Sequence, residues 1–90
     1  LPIYLALVVD QGVAAAGLLK GLEGVAPAIV QRIELFDQYQ GKGIDPNRKS
    51  LAFRVVMQET HRTLEDAEVE AAMAALTRHA EDSLGAKLRA

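Results

Sequence analysis

An alternation of apolar and polar residues in the middle of the chain predicts two β-strands joined by a loop. Apolar side chains recur at alternate positions, at Ile33 and Leu35 within residues 31–39 and at Leu51, Phe53, Val55 and Met57 within residues 49–57, which is the period of a strand with one buried face. The intervening residues 40–48 include two glycines, a proline and an asparagine, which favour turns. The apolar face of such a hairpin must be buried, and we expect the flanking segments to pack against it.

The segment before the hairpin predicts one strand and one short helix. Residues 3–9 are apolar throughout, so both faces of this strand are expected to be buried and the strand to be central in its sheet. Apolar residues spaced three and four apart in residues 15–22 then predict a helix. Gly24 is the expected stop of this helix, and Pro27 lies in the connection to the hairpin.

The segment after the hairpin predicts a longer helix and a final strand. Thr63 and Asp66 resemble a capping box, and an apolar stripe at helical spacing then continues up to Gly85. A glycine at that point favours the left-handed conformation that commonly ends a helix. Residues 86–90 alternate in polarity and predict an edge strand, with Leu88 as its apolar member.

The order strand, helix, strand, strand, helix, strand predicts an α+β fold of the ferredoxin-like βαββαβ type. Right-handed crossovers place both helices on one face of a four-stranded antiparallel sheet. We expect residues 1–90 to form one domain in which the other sheet face is open. The side chains expected on the open face are those of Tyr4, Ala6, Val8, Arg32, Glu34, Phe36, Ala52, Arg54, Val56 and Gln58.

Composition narrows the function classes. The chain has 90 residues, of which 50% are hydrophobic, enough for one modest core. It begins with Leu1 rather than methionine, which suggests a fragment of a longer protein. No long apolar run or basic leader is present, so we expect neither a membrane span nor a signal peptide. The absence of cysteine fits a reducing, cytoplasmic location.

The charge distribution argues against binding of nucleic acid by bulk electrostatics. The formal net charge is −2, whereas domains that hold nucleic acid in that way are usually strongly basic. Basic residues nevertheless outnumber acidic ones in residues 31–58, and acidic residues dominate residues 59–85. The predicted hairpin is therefore locally positive, while the acidic groups near the start of the second helix are explained by the helix dipole.

Two other chemistries find little support in the sequence. His61 and His79 lie in different contexts and form no helical ligand pair, so no metal site is expected. A ferredoxin-like acylphosphatase needs an arginine in the loop after the first strand and an asparagine that places water. Here residues 10–13 lack arginine, and the only asparagine is Asn47. A small-molecule regulatory module that dimerises through its sheet stays open as an alternative, although only Gly12 favours it.

Several separated motifs together resemble one known family. They agree in order and spacing with the ferredoxin-fold anticodon-binding domain at the C-terminus of the β subunit of bacterial phenylalanyl-tRNA synthetases. The motifs are Leu5-Ala-Leu-Val-Val-Asp10, Glu34-Leu-Phe-Asp-Gln-Tyr-Gln-Gly-Lys-Gly-Ile44, Lys49-Ser-Leu-Ala-Phe53, Arg62-Thr-Leu-Glu-Asp-Ala-Glu-Val69 and Gly85-Ala-Lys-Leu-Arg89. The chain departs from the family at Ile3-Tyr4, where an Arg-Asp pair is usual, and at residues 59–62, where Glu-Thr-His-Arg replaces Asp-Pro-Glu-Arg.

The resemblance implies a non-catalytic module that binds the anticodon stem-loop of phenylalanine tRNA. In the family, the aromatic ring and the carboxylate of the Leu-Phe-Asp-x-Tyr motif stack on and hydrogen-bond the first anticodon base, and these roles fall to Tyr39 and Asp37. The implied partners are the rest of the β subunit and the α subunit of an α2β2 enzyme. No cofactor is implied in this domain, whereas ATP and Mg²⁺ are implied elsewhere in that enzyme.

Each candidate residue also has a structural interpretation. Tyr39 could cap the core at the end of a strand, and Asp37 could be an ordinary surface carboxylate. An outward-facing Phe36 could stack on a base or pack against another domain of the parent enzyme. Four basic side chains are candidates for phosphate contacts, which position RNA without reading its sequence, or they are ordinary solvated charges: Lys42, Arg48, Lys49 and Arg54.

Overall fold

The computed structural model describes residues 2–89 and confirms the predicted order of elements. The elements are β1 (Pro2–Asp10), α1 (Ala15–Val25), β2 (Val30–Tyr39), β3 (Arg48–Met57), α2 (Asp66–Ser83) and β4 (Lys87–Leu88). The strands form one sheet in the order β2-β3-β1-β4. All pairings between neighbouring strands are antiparallel. The first strand is central and the last is an edge strand, as predicted, while Ala90 lies outside the described residues.

The core fills the space between one sheet face and the two helices. β1 pairs with β3 so that Leu5 faces Phe53 and Leu7 faces Leu51, and this alternation sends every second side chain of each strand towards the helices. Buried side chains of both helices meet them there. The buried apolar residues are Leu5, Leu7, Val9, Leu18, Leu22, Ile33, Leu51, Phe53, Val55, Met57, Ala72, Leu76, Ala80 and Ala86.

A bulge in β2 changes which side chains reach the open sheet face. Leu35 is opposite Phe53, but the next pair in the ladder is Asp37 with Ala52, so Phe36 is an extra residue on its strand. Tyr39 is consequently opposite Ser50. The face expected from strict alternation is wrong in omitting Asp37 and Tyr39, because one inserted residue reverses the parity of everything after it.

The start of α2 differs from the prediction made from its sequence. The N-cap is Glu65, and the capping box joins Glu65 to Glu68 rather than Thr63 to Asp66. The backbone N–H of Glu65 donates to the Glu68 carboxylate over 2.9 Å. Arg62 donates to the same carboxylate over 2.6 Å, so the Glu68 side chain accepts from two donors at the start of the helix.

The other helix ends follow simple backbone rules. α1 continues past the expected stop at Gly24 and ends at Val25, with Ala26 in an extended conformation. Pro27 explains this end, since a proline disfavours the helical conformation in the residue before it. After α2, Gly85 adopts φ +66°, which confirms its predicted left-handed role. Within residues 2–89, neither helix combines the length and apolar content needed to cross a membrane.

Candidate nucleic-acid interface

Asp37 and Tyr39 lie side by side on the open sheet face, at the end of β2. Their partners across the ladder, Ala52 and Ser50, belong to the same face of β3. Two positions along a strand are about 6.8 Å apart, so the carboxylate and the ring can contact one flat ligand together. Within residues 2–89, the side chain of Asp37 makes no ion pair or hydrogen bond, and its acceptor oxygens are available to a ligand.

The loop after β2 holds the ring of Tyr39 in place. The Tyr39 hydroxyl donates a hydrogen bond to the backbone carbonyl of Lys42 over 2.8 Å. Gly41 adopts φ +134°, and a Cβ added there would lie 3.4 Å from the Tyr39 hydroxyl oxygen. A glycine thus allows the chain to turn closely around the end of the ring. The ring is oriented before any ligand arrives, which lowers the entropy cost of binding.

Arg89 completes this edge and was not among the predicted site residues. Its guanidinium carbon lies 5.2 Å from the centroid of the Tyr39 ring, within the range of a cation–π contact. The backbone N–H of Arg89 donates to the carbonyl of Ala6, so its side chain crosses two strands to reach β2. Ala6 and Ala52 are paired across β1 and β3, and their small side chains leave room for that path.

We call Asp37, Tyr39, Lys42 and Arg89 the tyrosine edge. The terminal Gly-Ala-Lys-Leu-Arg motif was a sequence signal for Arg89, but a contact between residues at opposite edges of a sheet requires the strand order. The Arg89 guanidinium against one face of the Tyr39 ring adds positive charge near the Asp37 carboxylate. The tyrosine edge therefore combines a π surface, a carboxylate acceptor and cationic groups.

The loop that carries Lys42 is braced against the turn after β1. The backbone N–H of Gln11 donates to the carbonyl of Asn47 over 3.0 Å, and the Gln11 side chain donates to the carbonyl of Pro46 over 2.7 Å. Arg48 forms an ion pair with Asp10 over 3.1 Å and donates to the Val8 carbonyl over 3.0 Å. These bonds tie the end of the loop to the turn after β1, so the loop that follows Tyr39 is held at both of its ends.

A second aromatic cluster lies further along the same face. The rings of Tyr4 and Phe36 meet edge to face, with centroids 5.1 Å apart, and we call them the aromatic pair. The neighbouring Glu34 carboxylate accepts from Arg54 over 2.7 Å and from Arg32 over 3.1 Å. Arg54 first, and then Arg32, hold the pKa of Glu34 below its ordinary value by stabilising the charged form.

The four basic residues predicted to contact phosphate lie in different places in the structure. Lys42 is exposed beside Tyr39, while Arg54 and Arg48 lie on the open face in ion pairs with carboxylates. Lys49 is opposite Val9 in the ladder and is only 9% exposed, on the side of the helices. The sheet thus brings Lys42 together with Asp37 and Tyr39 and leaves Lys49 apart from them.

The open face can bind flat, partly polar ligands. Exposed aromatic rings next to a carboxylate and guanidinium groups suit unstacked nucleobases, which offer π faces and N–H donors. Among residues 2–89, no group of three or more histidine, cysteine, aspartate or glutamate side chains is arranged to hold a metal ion. The chemistry available on this face is recognition through stacking and hydrogen bonds.

Comparison with known proteins gives the same family over nearly the whole chain. Residues 4–89 match the family described as the ferredoxin-fold anticodon binding domain. The phenylalanine–tRNA ligase beta subunit of Aromatoleum aromaticum is 62% identical over 84 residues, which are 93% of this chain and 11% of that protein. The beta subunits of Dechloromonas aromatica and Thiobacillus denitrificans are 56% and 52% identical, each over 96% of this chain and 11% of their own length. The chain therefore spans about a tenth of the length of these relatives.

Proposed function

Because this chain belongs to the ferredoxin-fold anticodon-binding domain family, we propose that it binds the anticodon stem-loop of phenylalanine tRNA as a non-catalytic module of a phenylalanine–tRNA ligase. The proposed partners are the remainder of a β subunit and an α subunit in an α2β2 enzyme. ATP and Mg²⁺ would act in the catalytic part of that enzyme. The names of the relatives support this assignment.

The observation that carries the proposal is the placement of Asp37 and Tyr39 on one exposed face. A base splayed out from the anticodon loop stacks on the Tyr39 ring, and its N–H groups donate to the Asp37 carboxylate. A carboxylate repels phosphate, so Asp37 is useful only as an acceptor for a specific base, such as guanine. Lys42 and Arg89 supply the positive charge that attracts the RNA backbone and positions it.

A binding titration of the 90-residue chain with the anticodon stem-loop tests this function. The chain is a suitable reagent, since its core closes within residues 2–89 and no buried side-chain polar atom there lacks a partner. Stacking is worth about 1–3 kcal/mol per base, so Tyr39→Leu is expected to weaken binding roughly 5- to 150-fold. The salt concentration must be fixed, because phosphate contacts make the affinity depend on it.

Asp37→Asn tests base reading separately from stacking. We expect the variant to lose discrimination between the natural first anticodon base and a changed one, while it still binds RNA. Val25→Ala, which removes an exposed apolar side chain from the helix layer, is the matched control and should bind as the wild type does. Equal binding by wild type, Tyr39→Leu and Asp37→Asn would refute the proposal.

The same changes in the complete ligase distinguish recognition from chemistry. Tyr39→Ala and Asp37→Ala should weaken tRNA binding and leave formation of the aminoacyl adenylate unchanged, because that step does not involve the anticodon. A parallel loss of adenylate formation would contradict the assigned role. The alternative, a ferredoxin-like regulatory or protein-interaction module without RNA binding, predicts no tRNA effect from either variant.

A further inference from the structure

We propose that the aromatic pair, Tyr4 and Phe36, is a second base-stacking platform that holds a different loop base from the one on Tyr39. The inference rests on the proposed function, since it extends the same RNA interface along the sheet. Its ligand is an unstacked nucleobase in the same single-stranded loop. The residue that distinguishes this platform from the tyrosine edge is Tyr4, whose ring meets that of Phe36.

The exposure of the aromatic pair is the first reason. Tyr4 is 60% exposed and Phe36 is 55% exposed, although burial of a Phe side chain stabilises a protein by about 1.5–3 kcal/mol. Their edge-to-face contact uses only part of each ring. Two neighbouring, mostly uncovered aromatic rings on a sheet are an apolar surface that a ligand can cover.

The backbone of β2 directs Phe36 to this position. Phe36 is the extra residue of the bulge between Leu35 and Asp37, so the strand presents it in addition to the two residues used at the tyrosine edge. Its ring reaches Tyr4 across β3, because Tyr4 is paired with Arg54 and Arg54 with Glu34. Two rings from non-adjacent strands thus meet on the open face, where alternation from Glu34 already places Phe36.

The spacing of the two aromatic sites requires two bases. Tyr4 is level with Arg54 and Tyr39 is level with Ser50, four positions along β3, which is about 13 Å. This is about twice the 6.8 Å between Asp37 and Tyr39, the two positions that one flat ligand can contact together, so the Tyr4 and Tyr39 rings hold different bases.

Local charge favours RNA over an apolar protein partner on this surface. Two guanidinium groups, those of Arg32 and Arg54, share the single Glu34 carboxylate beside the rings, so this ion-pair cluster itself carries one excess positive charge. The aromatic pair is also continuous with the tyrosine edge on the same face. A stacked base with its phosphate near these arginines satisfies both features.

Binding of the anticodon stem-loop to variants of the 90-residue chain tests the proposal. Tyr4→Leu keeps an apolar side chain but removes the ring, and we expect roughly 5- to 150-fold weaker binding. Tyr4→Phe keeps the ring and should bind within about twofold of the wild type on the same stacking argument. Val25→Ala again serves as the control for loss of exposed apolar surface, and thermal unfolding verifies that each variant is folded.

Stem-loops in which one loop nucleotide at a time lacks its base identify the base that stacks on the aromatic pair. One abasic position, different from the position that responds to Tyr39→Leu, should weaken binding to the wild type and have no further effect on Tyr4→Leu. Wild-type affinity in Tyr4→Leu alongside weak binding by Tyr39→Leu would overturn the second platform and leave the proposed function intact.

Two further outcomes would also overturn the inference. If Tyr4→Phe bound as weakly as Tyr4→Leu, the hydroxyl rather than the ring would be responsible, and stacking would be refuted. If neither Tyr39→Leu nor Tyr4→Leu altered the affinity, the second platform and the proposed function would fail together.

Discussion

The contact between Gly21 and Leu84 provides a sharp test of how the helix layer is packed. Gly21 lies in the middle of α1, and Leu84 is the C-cap of α2. A Cβ at position 21 would lie 2.8 Å from Cδ1 and 2.9 Å from Cδ2 of Leu84, which is closer than carbon atoms approach. By contrast, a Cβ at Gly17 on the same helix would meet nothing within 4 Å.

These distances predict opposite effects for two chemically identical substitutions. Alanine is favoured over glycine within a helix by about 1 kcal/mol, so Gly17→Ala should raise the free energy of unfolding by up to that amount. Gly21→Ala gains the same propensity but forces Leu84 to move, and overpacking costs about 1–3 kcal/mol. Because Leu84 is half-buried and the obstructing atoms are its terminal methyls, we expect Gly21→Ala to be less stable than Gly17→Ala by about 1 kcal/mol, the lower end of that range.

Urea and thermal unfolding of the purified variants measure this difference. For a domain of this size, 1 kcal/mol corresponds to about 4–8 °C in Tm. In a Leu84→Ala background the obstruction is absent, so adding Gly21→Ala should then be stabilising. Equal stability of Gly17→Ala and Gly21→Ala in the wild-type background, or a destabilising Gly21→Ala in the Leu84→Ala background, would refute the packing argument.

Two further predictions concern the ends of α2. Arg62 and the Glu65 N–H lower the pKa of Glu68 from its ordinary 4.5 to about 2, so between these pH values the unfolded chain binds a proton that the folded chain does not. The stabilisation is present above about pH 4.5 and is lost as the pH falls towards 2. The unfolding free energy of wild type should therefore exceed that of Glu68→Gln by an amount that shrinks across this window, and a constant difference would contradict the prediction. Gly85→Ala should destabilise by about 1–2 kcal/mol because φ is +66° there, whereas Gly12→Ala, with open space and no positive φ, should not; equal unfolding midpoints for the two variants would argue against strain at position 85.

Hydrophobic periodicity was sufficient to predict the architecture. Alternation in residues 49–57 and the helical stripe before Gly85 each depend on a pattern that is local in the chain, and burial of one face then determines how the elements pack. The resemblance of the motifs around Asp37 and Tyr39 identified the family, which the comparisons confirm. These features follow from short stretches of sequence, so they were available without coordinates.

The details of the interface depended on features that are not local. Strict alternation failed after Phe36, because the pairing of β2 with β3 leaves Phe36 without a partner across the ladder and so forms a bulge. A bulge has no reliable signal in a single stretch of chain, since it depends on how the partner strand pairs with it.

By itself, the sequence determined the order of the elements, the apolar residues of the core and the family to which the chain belongs. The tertiary structure alone decided that Asp37 and Tyr39 share the open face, that Arg89 lies against the Tyr39 ring, and that Tyr4 meets Phe36. The physical reason is range. Periodicity records how each segment meets the core, whereas contacts across a sheet join residues far apart in sequence and exist only after strand order and register are set.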